Sequence, residues 1–271
     1  MIHGKLRDSE FASSIVINSS LIDSLQHRFY YMLEFVTKAE YWAAEDSGVL
    51  SRLPKAPFAW HLKSIQDAVA FTYLQDIVGG RIAEVGGGNS RILPALAADN
   101  DCYNIDRFDG QHGGPADVPN LMGVKNVIGY VTDPSVTETI RECDAAFSVS
   151  VVEHVPTTDL PDFFEACAKL LRPGGRMVHL IDVYLTDRPQ EQSGLVERIN
   201  HYASVFQLGL LEPWTPEAKI ISTGEDLSFS CPYATNPDNI MAGWNRIAPA
   251  LRDLRAVAQS CTLKLVGTKP K

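Results

Sequence analysis

The sequence predicts an α/β fold in which helices cover both faces of a mostly parallel sheet. From Arg81 onward, short apolar runs alternate with stretches of helical periodicity. The apolar runs are 81–85, 102–105, 127–131, 145–149 and 176–183. Alternation of strands with helices is typical of a parallel sheet, because each crossover helix packs on one face of that sheet. The run 176–183 is also apolar enough for a central strand.

Helix and turn signals separate these strands. One helix is expected to begin near Ser90, and another spans 160–171. The Pro-Gly-Gly at 173–175 ends that second helix and turns the chain into the next strand. Beyond Thr186 the periodicity is looser. It predicts helices over 197–211 and 238–259, and strands over 227–233 and 262–267.

The N-terminal region has a different pattern. Residues from about Ser20 to Ala70 show helical spacing of apolar side chains, and prolines at 54 and 57 interrupt it. We therefore expect an N-terminal helical cap over 1–75 and one doubly wound domain over 76–271. The cap is rich in aromatic residues. These side chains either pack against the main domain or line a pocket for a substrate.

The overall composition narrows the function. The 271-residue chain has a formal net charge of −9, which disfavours long nucleic acids as partners because phosphate backbones are repelled. The five cysteines are odd in number and lack CxxC spacing, so we expect buried free thiols and a reducing compartment. No signal-peptide pattern and no apolar run of membrane-spanning length is present, and we expect a cytoplasmic protein without a membrane partner.

The strongest motif is the segment Arg81-Ile-Ala-Glu-Val-Gly-Gly-Gly-Asn-Ser-Arg91, in which a strand runs into glycines and then a helix. Glycines allow a ligand to approach the backbone, so a nucleotide-like ligand is expected at the end of this strand. A dinucleotide fingerprint requires a small residue where Arg91 stands, and the Gly-Lys-Ser/Thr of a P-loop is missing. Glu84 would repel a pyrophosphate but suits an ammonium group. S-adenosylmethionine has an amino group and a sulfonium, and it carries no phosphate.

Two aspartates follow the next two predicted strands. Asp106 lies 20 residues after Gly86, where a carboxylate can accept both hydroxyls of a ribose, although an ordinary loop aspartate is the alternative. Asp133 can accept a hydrogen bond from an adenine amino group. The pair Asp133-Pro134 is equally typical of a helix start.

The order of these motifs resembles the class I S-adenosylmethionine-dependent methyltransferase family. Besides the glycine segment and Asp106, the segments Asp144–Val155, with its Glu-His-Val, and Leu170–Val178 resemble motifs of that family. The resemblance covers about 80–184. It implies a seven-stranded sheet whose last two strands form an antiparallel pair, with S-adenosylmethionine as cofactor and S-adenosylhomocysteine as product. The cofactor-binding residues that it implies are Glu84, Gly86, Gly87, Gly88, Asp106, Asp133 and Val149.

Three residues are candidates for the chemistry. His154 adjoins the cofactor strand and could remove a proton from a hydroxyl acceptor, or it could be structural. Asp182 and His179 lie three residues apart on one strand, so they should point to opposite faces, and His179 is expected in the core. A divalent metal held by Asp182, Asp187 and His201 stays open, although no ligand spacing supports it.

The sequence thus predicts a methyltransferase acting on a small molecule or a glycan, with an oxygen atom as the preferred acceptor. It has no Asn/Asp-Pro-Pro-Tyr/Phe and no Pro-Cys motif, which disfavours methylation of nucleic-acid amino groups and of pyrimidine C5. Two alternatives remain. One is a non-catalytic module that binds S-adenosylmethionine or S-adenosylhomocysteine, and the other is a nicotinamide-dependent oxidoreductase.

Overall fold

A computed structural model describes residues 30–54, 62–111, 114–185, 197–198, 201–202 and 259–271. These residues form one seven-stranded sheet. Its strands are β1 (Tyr30–Phe35), β2 (Arg81–Val85), β3 (Asp101–Asp106), β4 (Val124–Ile128), β5 (Cys143–Val149), β6 (Leu171–Leu185) and β7 (Gln259–Thr268). The helices are α1 (Lys38–Asp46), α2 (Leu62–Thr72), α3 (Leu93–Leu96), α4 (Pro134–Thr139) and α5 (Leu160–Leu170).

The strands are ordered β1-β7-β6-β5-β2-β3-β4. The five strands from β6 to β4 are mutually parallel, and β7 runs antiparallel between β6 and β1. The expectation of a mostly parallel, seven-stranded sheet is therefore confirmed. The expected antiparallel pair is β6 with β7, and it is the longest pairing in the sheet, from Arg176–Thr268 to Leu185–Gln259.

Helices cover both faces of this sheet. On one face, a core of buried side chains joins the sheet to α1, α2 and α3, and it includes Phe71, Phe147 and Leu180. On the other face, α4 and α5 pack over a second core that includes Phe163, Ile181 and Leu263. Because neighbouring residues of β6, such as Leu180 and Ile181, enter opposite cores, the sheet is buried on both sides as a doubly wound fold requires.

The prediction of helix from about Ser20 to Ala70 is wrong for residues 30–35. These residues form β1, the edge strand, which pairs along its whole length with β7 from Tyr30–Thr268 to Phe35–Leu263. The N-terminal helical cap is not confirmed, since β1 belongs to the same sheet as the strands after residue 76. Helix does occur nearby, in α1 and α2.

Two predicted boundaries also differ from the structure. The fourth strand covers 124–128 rather than 127–131. The helix expected from Ser90 is the short α3, which begins at Leu93. The Pro-Gly-Gly at 173–175 does follow a helix, which ends at Leu170, but it lies in an irregularity where three extra residues of β6 face β5. Gly174 has a φ of 78° there, which suits glycine.

Three predicted features are confirmed only in part. The last strand, expected over 262–267, lies within β7. Residues 197–198 and 201–202 are helical, whereas the rest of the helix predicted over 197–211, the strand over 227–233 and most of the helix over 238–259 lie outside the described residues. Cys102, Cys143 and Cys167 are buried free thiols, as expected.

None of the helices in the described ranges is long and apolar enough to cross a membrane.

Candidate functional site

The predicted cofactor-binding residues lie at or just beyond the carboxyl ends of the parallel strands β2 to β5. The segments that follow β2, β3, β4 and β5 all leave the sheet there, because these strands are parallel. The direction of strand order reverses between β2 and β5, which are neighbours in the sheet. A crevice at such a reversal is the usual ligand site of an open α/β sheet.

The glycine loop, residues 86–88, is held on the sheet by two side chains of β3. Asn104 is fully buried and donates from Nδ2 to the carbonyl of Gly88 at 2.9 Å. Asp106 accepts from the Gly88 amide at 3.0 Å. A Cβ on Gly87 would lie 2.4 Å from Oδ1 of Asn104 and 2.9 Å from Cδ of Glu84, so a larger residue there would displace these two buried side chains. The sequence indicated the glycines and Asp106 but not Asn104.

Glu84 lies at the floor of this loop. Its side chain is buried, and Oε2 has no hydrogen-bond partner in the described part of the chain. Burial raises the pKa of this carboxyl to about 8, although a hydrogen bond with Ser90 opposes the shift. A buried carboxyl with an unused oxygen is poised to accept a donor from a ligand, because an unsatisfied buried oxygen is costly.

Asp106 and Asp133 occupy different positions at this edge. Asp106 is the last residue of β3, and its other oxygen, Oδ1, accepts from the Phe108 amide at 2.8 Å. The Asp106 carboxylate therefore lies against the glycine loop, with one backbone amide bonded to each of its oxygens. Asp133 follows β4 by five residues and precedes α4 with Pro134 as the first helical residue. Its Oδ2 accepts from the Tyr130 amide at 2.7 Å, an arrangement typical of a turn that starts a helix.

The segment after β5 forms the opposite wall of the crevice. Val149 ends β5, and Ser150 has a φ of 56°, which turns the chain sharply. The next side chain, that of Val151, fills the space in front of Gly86, where a Cβ would meet it at 2.6 Å. The segment that follows Val149 therefore packs against the glycine loop.

A cluster of four polar side chains joins this wall to α2 and β6. It comprises Lys63, Gln66, Ser150 and Asp182 and is called the edge cluster below. Oδ1 of Asp182 accepts from Gln66 Nε2 at 2.7 Å and from Ser150 Oγ at 2.6 Å, and Oδ2 accepts from Lys63 Nζ at 2.9 Å. Sequence patterns gave no indication of Lys63 or Gln66, because both lie in a helix that is distant in the chain from the motifs.

The edge cluster keeps Asp182 ionised. Burial opposes ionisation, but Lys63 and the hydrogen bonds from Ser150 and Gln66 outweigh it and hold the pKa of this carboxyl below its usual range. Both oxygens of Asp182 are already engaged. Its environment therefore favours a role in positioning neighbouring groups over the removal of a proton.

Glu153 lies next to the edge cluster. Burial and the neighbouring Asp182 carboxylate raise its pKa to about 8, while Lys63 opposes the shift. Neither of its carboxyl oxygens has a hydrogen-bond partner among the described residues. A neutral carboxyl is therefore held beside the crevice at neutral pH.

The two candidate histidines have opposite environments. His154 ends the short 3₁₀ helix Val152–His154, its side chain is 47% exposed, and Nε2 lies 3.9 Å from Oε1 of Glu153. His179 is fully buried in front of Phe163 and Phe164, and its Nδ1 shares a hydrogen bond of 2.7 Å with Ser148 Oγ. Burial lowers the pKa of His179 to about 3. The structure thus places His179 in the core, as expected, and on the face opposite to Asp182, so its candidacy for the chemistry is not supported.

Arg198 connects the helical residues 197–198 and 201–202 to the segment that follows β5. Its Nη2 donates to the carbonyls of Val152, Glu153 and Val155 at 3.0–3.2 Å, and its Nε bonds the hydroxyl of the buried Tyr202. His201 lies beside it, with Nε2 3.2 Å from the carbonyl of Thr157. The Arg198 guanidinium therefore stabilises the short helix that carries His154 by bonding its backbone carbonyls.

Within the described ranges, no group of three or more His, Cys, Asp or Glu side chains is arranged to hold a metal ion. Asp187, one of the three side chains considered for a metal, lies outside those ranges.

Comparisons with known proteins agree with this geometry. Residues 83–179 match a family model described as a methyltransferase domain. No protein of curated function matches the chain.

Several solved structures are similar to parts of this chain at low identity. The cyclopropane synthase MmaA2 of Mycobacterium tuberculosis is 15% identical with a TM-score of 0.45, over 75% of this chain and 83% of that one. The YcgJ protein of Bacillus subtilis is 14% identical with a TM-score of 0.42, over 76% and 98%. A TehB-like SAM-dependent methyltransferase of Corynebacterium glutamicum is 14% identical with a TM-score of 0.36, over 60% and 83%.

Proposed function

We propose that this chain, an S-adenosylmethionine-dependent methyltransferase with a class I methyltransferase domain over residues 83–179, methylates an oxygen atom of a small molecule or a glycan. The cofactor-binding residues in this proposal are Glu84, Gly86, Gly87, Gly88, Asp106, Asp133 and Val149. The product formed from the cofactor is S-adenosylhomocysteine.

The buried, unpartnered oxygen of Glu84 is the observation that carries the cofactor assignment. It lies under the glycine loop at the strand-order reversal, and the Asp106 carboxylate stands on the neighbouring strand. One acid beside the loop suits the α-ammonium of a methionine moiety, and the second suits the two hydroxyls of a ribose. The Asp106 carboxylate does not suit a pyrophosphate, because like charges repel.

The chemistry divides between cofactor and protein. When bound, S-adenosylmethionine supplies an activated methyl group on its sulfonium. The chain has to hold the acceptor in line with that group and to take up the proton of a hydroxyl acceptor. His154 is half-exposed in the segment after β5, and in this proposal it accepts the proton. The edge cluster fixes the wall on which His154 stands, with Asp182 as its central, ionised member.

Two observations support the acceptor class. A hydroxyl needs a nearby base, and His154 is half-exposed in the short helix that follows β5. The net charge of −9 favours a small neutral or cationic acceptor over a long nucleic acid. A cytoplasmic location remains part of the proposal.

The first test is a binding titration of the full chain by calorimetry with S-adenosylmethionine, S-adenosylhomocysteine and NAD(H). We expect micromolar binding of the first two and no binding of NAD(H). Asp106→Ala should weaken S-adenosylhomocysteine binding by about 1.5–3 kcal/mol, the contribution of a hydrogen bond to a charged group.

Asp101→Ala is the matched control, because Asp101 lies on the same strand at the opposite edge of the sheet. It should leave the affinity unchanged. Binding of NAD(H) in place of the other two ligands would overturn the cofactor assignment. Equal affinity of the wild type and Asp106→Ala would overturn the ribose contact. With the cofactor established, a panel of hydroxylated small molecules and glycans, assayed against matched amines, tests the preference for oxygen.

A further inference from the structure

One cation stands beside the glycine loop with part of its hydrogen-bonding capacity unused. Arg91 follows the loop directly, and its Nε and Nη2 both bond the carboxylate of Asp67 on α2, with Nη2 3.0 Å from Oδ1. Across the described residues, Nη1 of Arg91 has no hydrogen-bond partner. The Arg91 side chain is 44% exposed, whereas that of Asp67 is only 9% exposed. The buried Asp67 therefore fixes the Arg91 guanidinium, and the part of the guanidinium that does not contact Asp67 is exposed.

The guanidinium is also close enough to Glu84 for the two groups to affect each other's ionisation. Arg91 lowers the pKa of Glu84, although burial is the dominant influence and raises it. No hydrogen bond joins them, since Arg91 is turned toward Asp67. The loop is thus flanked by a carboxyl and a guanidinium that are near each other but not paired. This arrangement of opposite charges is complementary to an amino-acid zwitterion.

We infer that Arg91 binds the α-carboxylate of the cofactor's methionine moiety and that Asp67 positions Arg91 for this contact. The inference rests on the proposed function and adds a residue to it. A guanidinium has five N–H donors, so it can bond Asp67 along one edge and a ligand carboxylate along another. Arg91 then has a use at the position where a dinucleotide-binding loop needs a small residue. Asp67 is a positioning residue, because it acts through Arg91.

The test compares two ligands that differ only in the carboxylate. One is S-adenosylhomocysteine, and the other is its decarboxylated analogue, which keeps the amine. The wild type should bind S-adenosylhomocysteine more tightly. In Arg91→Met this affinity should fall about 10- to 100-fold, as expected for a charge-assisted hydrogen bond. The affinity for the decarboxylated analogue should stay within about twofold, which also shows that the variant is folded.

Two further variants separate recognition from folding. Because Arg91→Met removes a cation that bonds the buried Asp67, Asp67→Asn/Arg91→Met is measured beside it and should show the same selective loss. Asp67→Asn alone should lose less affinity for S-adenosylhomocysteine and none for the analogue. Arg172→Met is the matched control, because Arg172 is 46% exposed and pairs with Asp144 at the opposite edge of the sheet. It should change neither affinity.

The outcomes distinguish this inference from the proposed function. If the wild type binds S-adenosylhomocysteine but the double variant binds it equally well, Arg91 is only a structural partner of Asp67 and the inference is overturned. An equal loss for both ligands in a folded double variant also overturns it, because the effect then does not depend on the carboxylate. If the wild type binds neither ligand, the proposed function itself fails.

Discussion

At the scale of single residues, the local environment distinguishes two histidines that were both candidates for the catalytic base. His154 lies in the short helix after β5 and His179 lies within β6, and both were candidates for the chemistry. His179 is buried against Phe163 and Phe164 and hydrogen-bonded to Ser148, whereas the His154 side chain is half-exposed. A neutral, buried imidazole with a low pKa cannot readily take up a proton near neutral pH.

This contrast leads to a prediction for His154. With an acceptor hydroxyl found by the panel assay, His154→Gln should lower kcat about 10²-fold, because a positioned base contributes about that much. Initial rates over a range of acceptor concentrations give kcat separately from KM. Titration with S-adenosylhomocysteine provides the control, and its affinity should be unchanged. A kcat within twofold of the wild type would assign the histidine a structural role instead.

The site residues could be predicted from sequence only where the motif is local. The glycine loop and Glu84 are contiguous in the chain, and Asp106 has a fixed spacing from them, so the pattern alone indicated their proximity. Lys63, Gln66 and Asn104 escaped prediction. Lys63 and Gln66 reach Asp182 across a sequence separation of more than 110 residues, which only the packing of α2 on the sheet brings together.

At the scale of elements, distance in the sequence also explains why residues 30–35 were predicted as helix and form a strand. The segment Tyr-Tyr-Met-Leu-Glu-Phe is a short apolar run, which periodicity alone cannot assign to a helix or a strand. Its partner is β7, more than 220 residues later. The strands from β2 to β6, by contrast, were predicted because their alternation with helices repeats along a continuous stretch of chain.

A buried lysine ties β1 to the rest of the molecule. Lys264 of β7 is 1% exposed, and its ammonium is 2.7 Å from Glu34 on β1, bonds Glu40 on α1 and lies 3.0 Å from the Tyr73 hydroxyl. Burial opposes its charge, but these partners outweigh burial and raise its pKa above the usual range. Lys264 thus bonds groups from β1, from α1 and from the residue that follows α2.

Lys264→Met should therefore destabilise the protein by about 3 kcal/mol, since it breaks a buried ion pair without replacing its hydrogen bonds. Denaturant unfolding measures this difference. Lys125→Met is the control, because Lys125 is 62% exposed and pairs with Asp101 at the surface, where such a pair contributes less than about 1 kcal/mol. Equal effects of the two substitutions would show that the buried lysine does not anchor β1.

At the scale of the whole molecule, buried acids make stability depend on pH. Glu84 and Glu153 both have pKa values of about 8 in the folded protein, against about 4.5 when exposed. Between these values the folded state holds protons that the unfolded state has released. The free energy of unfolding should therefore fall as pH rises from about 5 to about 8. His179, with its pKa of about 3, acts in the opposite direction, but only below about pH 6.5.

The two acids can be identified by comparing unfolding free energies at pH 6 and pH 8.5. The wild type should be less stable at pH 8.5 by a few kcal/mol, since each pKa unit corresponds to about 1.4 kcal/mol. Glu84→Gln/Glu153→Gln should lose most of this difference, because an amide cannot ionise. Glu165→Gln, at an exposed position of α5, should retain it. Parallel pH dependence of the double variant and the wild type would contradict the assignment.

Glu84 and Glu153 both make the free energy of unfolding depend on pH. A bound cofactor should remove the contribution of Glu84 and leave that of Glu153. An ammonium held against the buried oxygen of Glu84 favours its ionised form, so saturating S-adenosylhomocysteine should lower the pKa of that carboxyl. Binding at pH 7 then releases a proton, which calorimetry detects as a binding heat that differs between buffers of different ionisation enthalpy. Glu84→Gln should abolish this buffer dependence and Glu153→Gln should preserve it. Release that persists in Glu84→Gln would place the ammonium elsewhere.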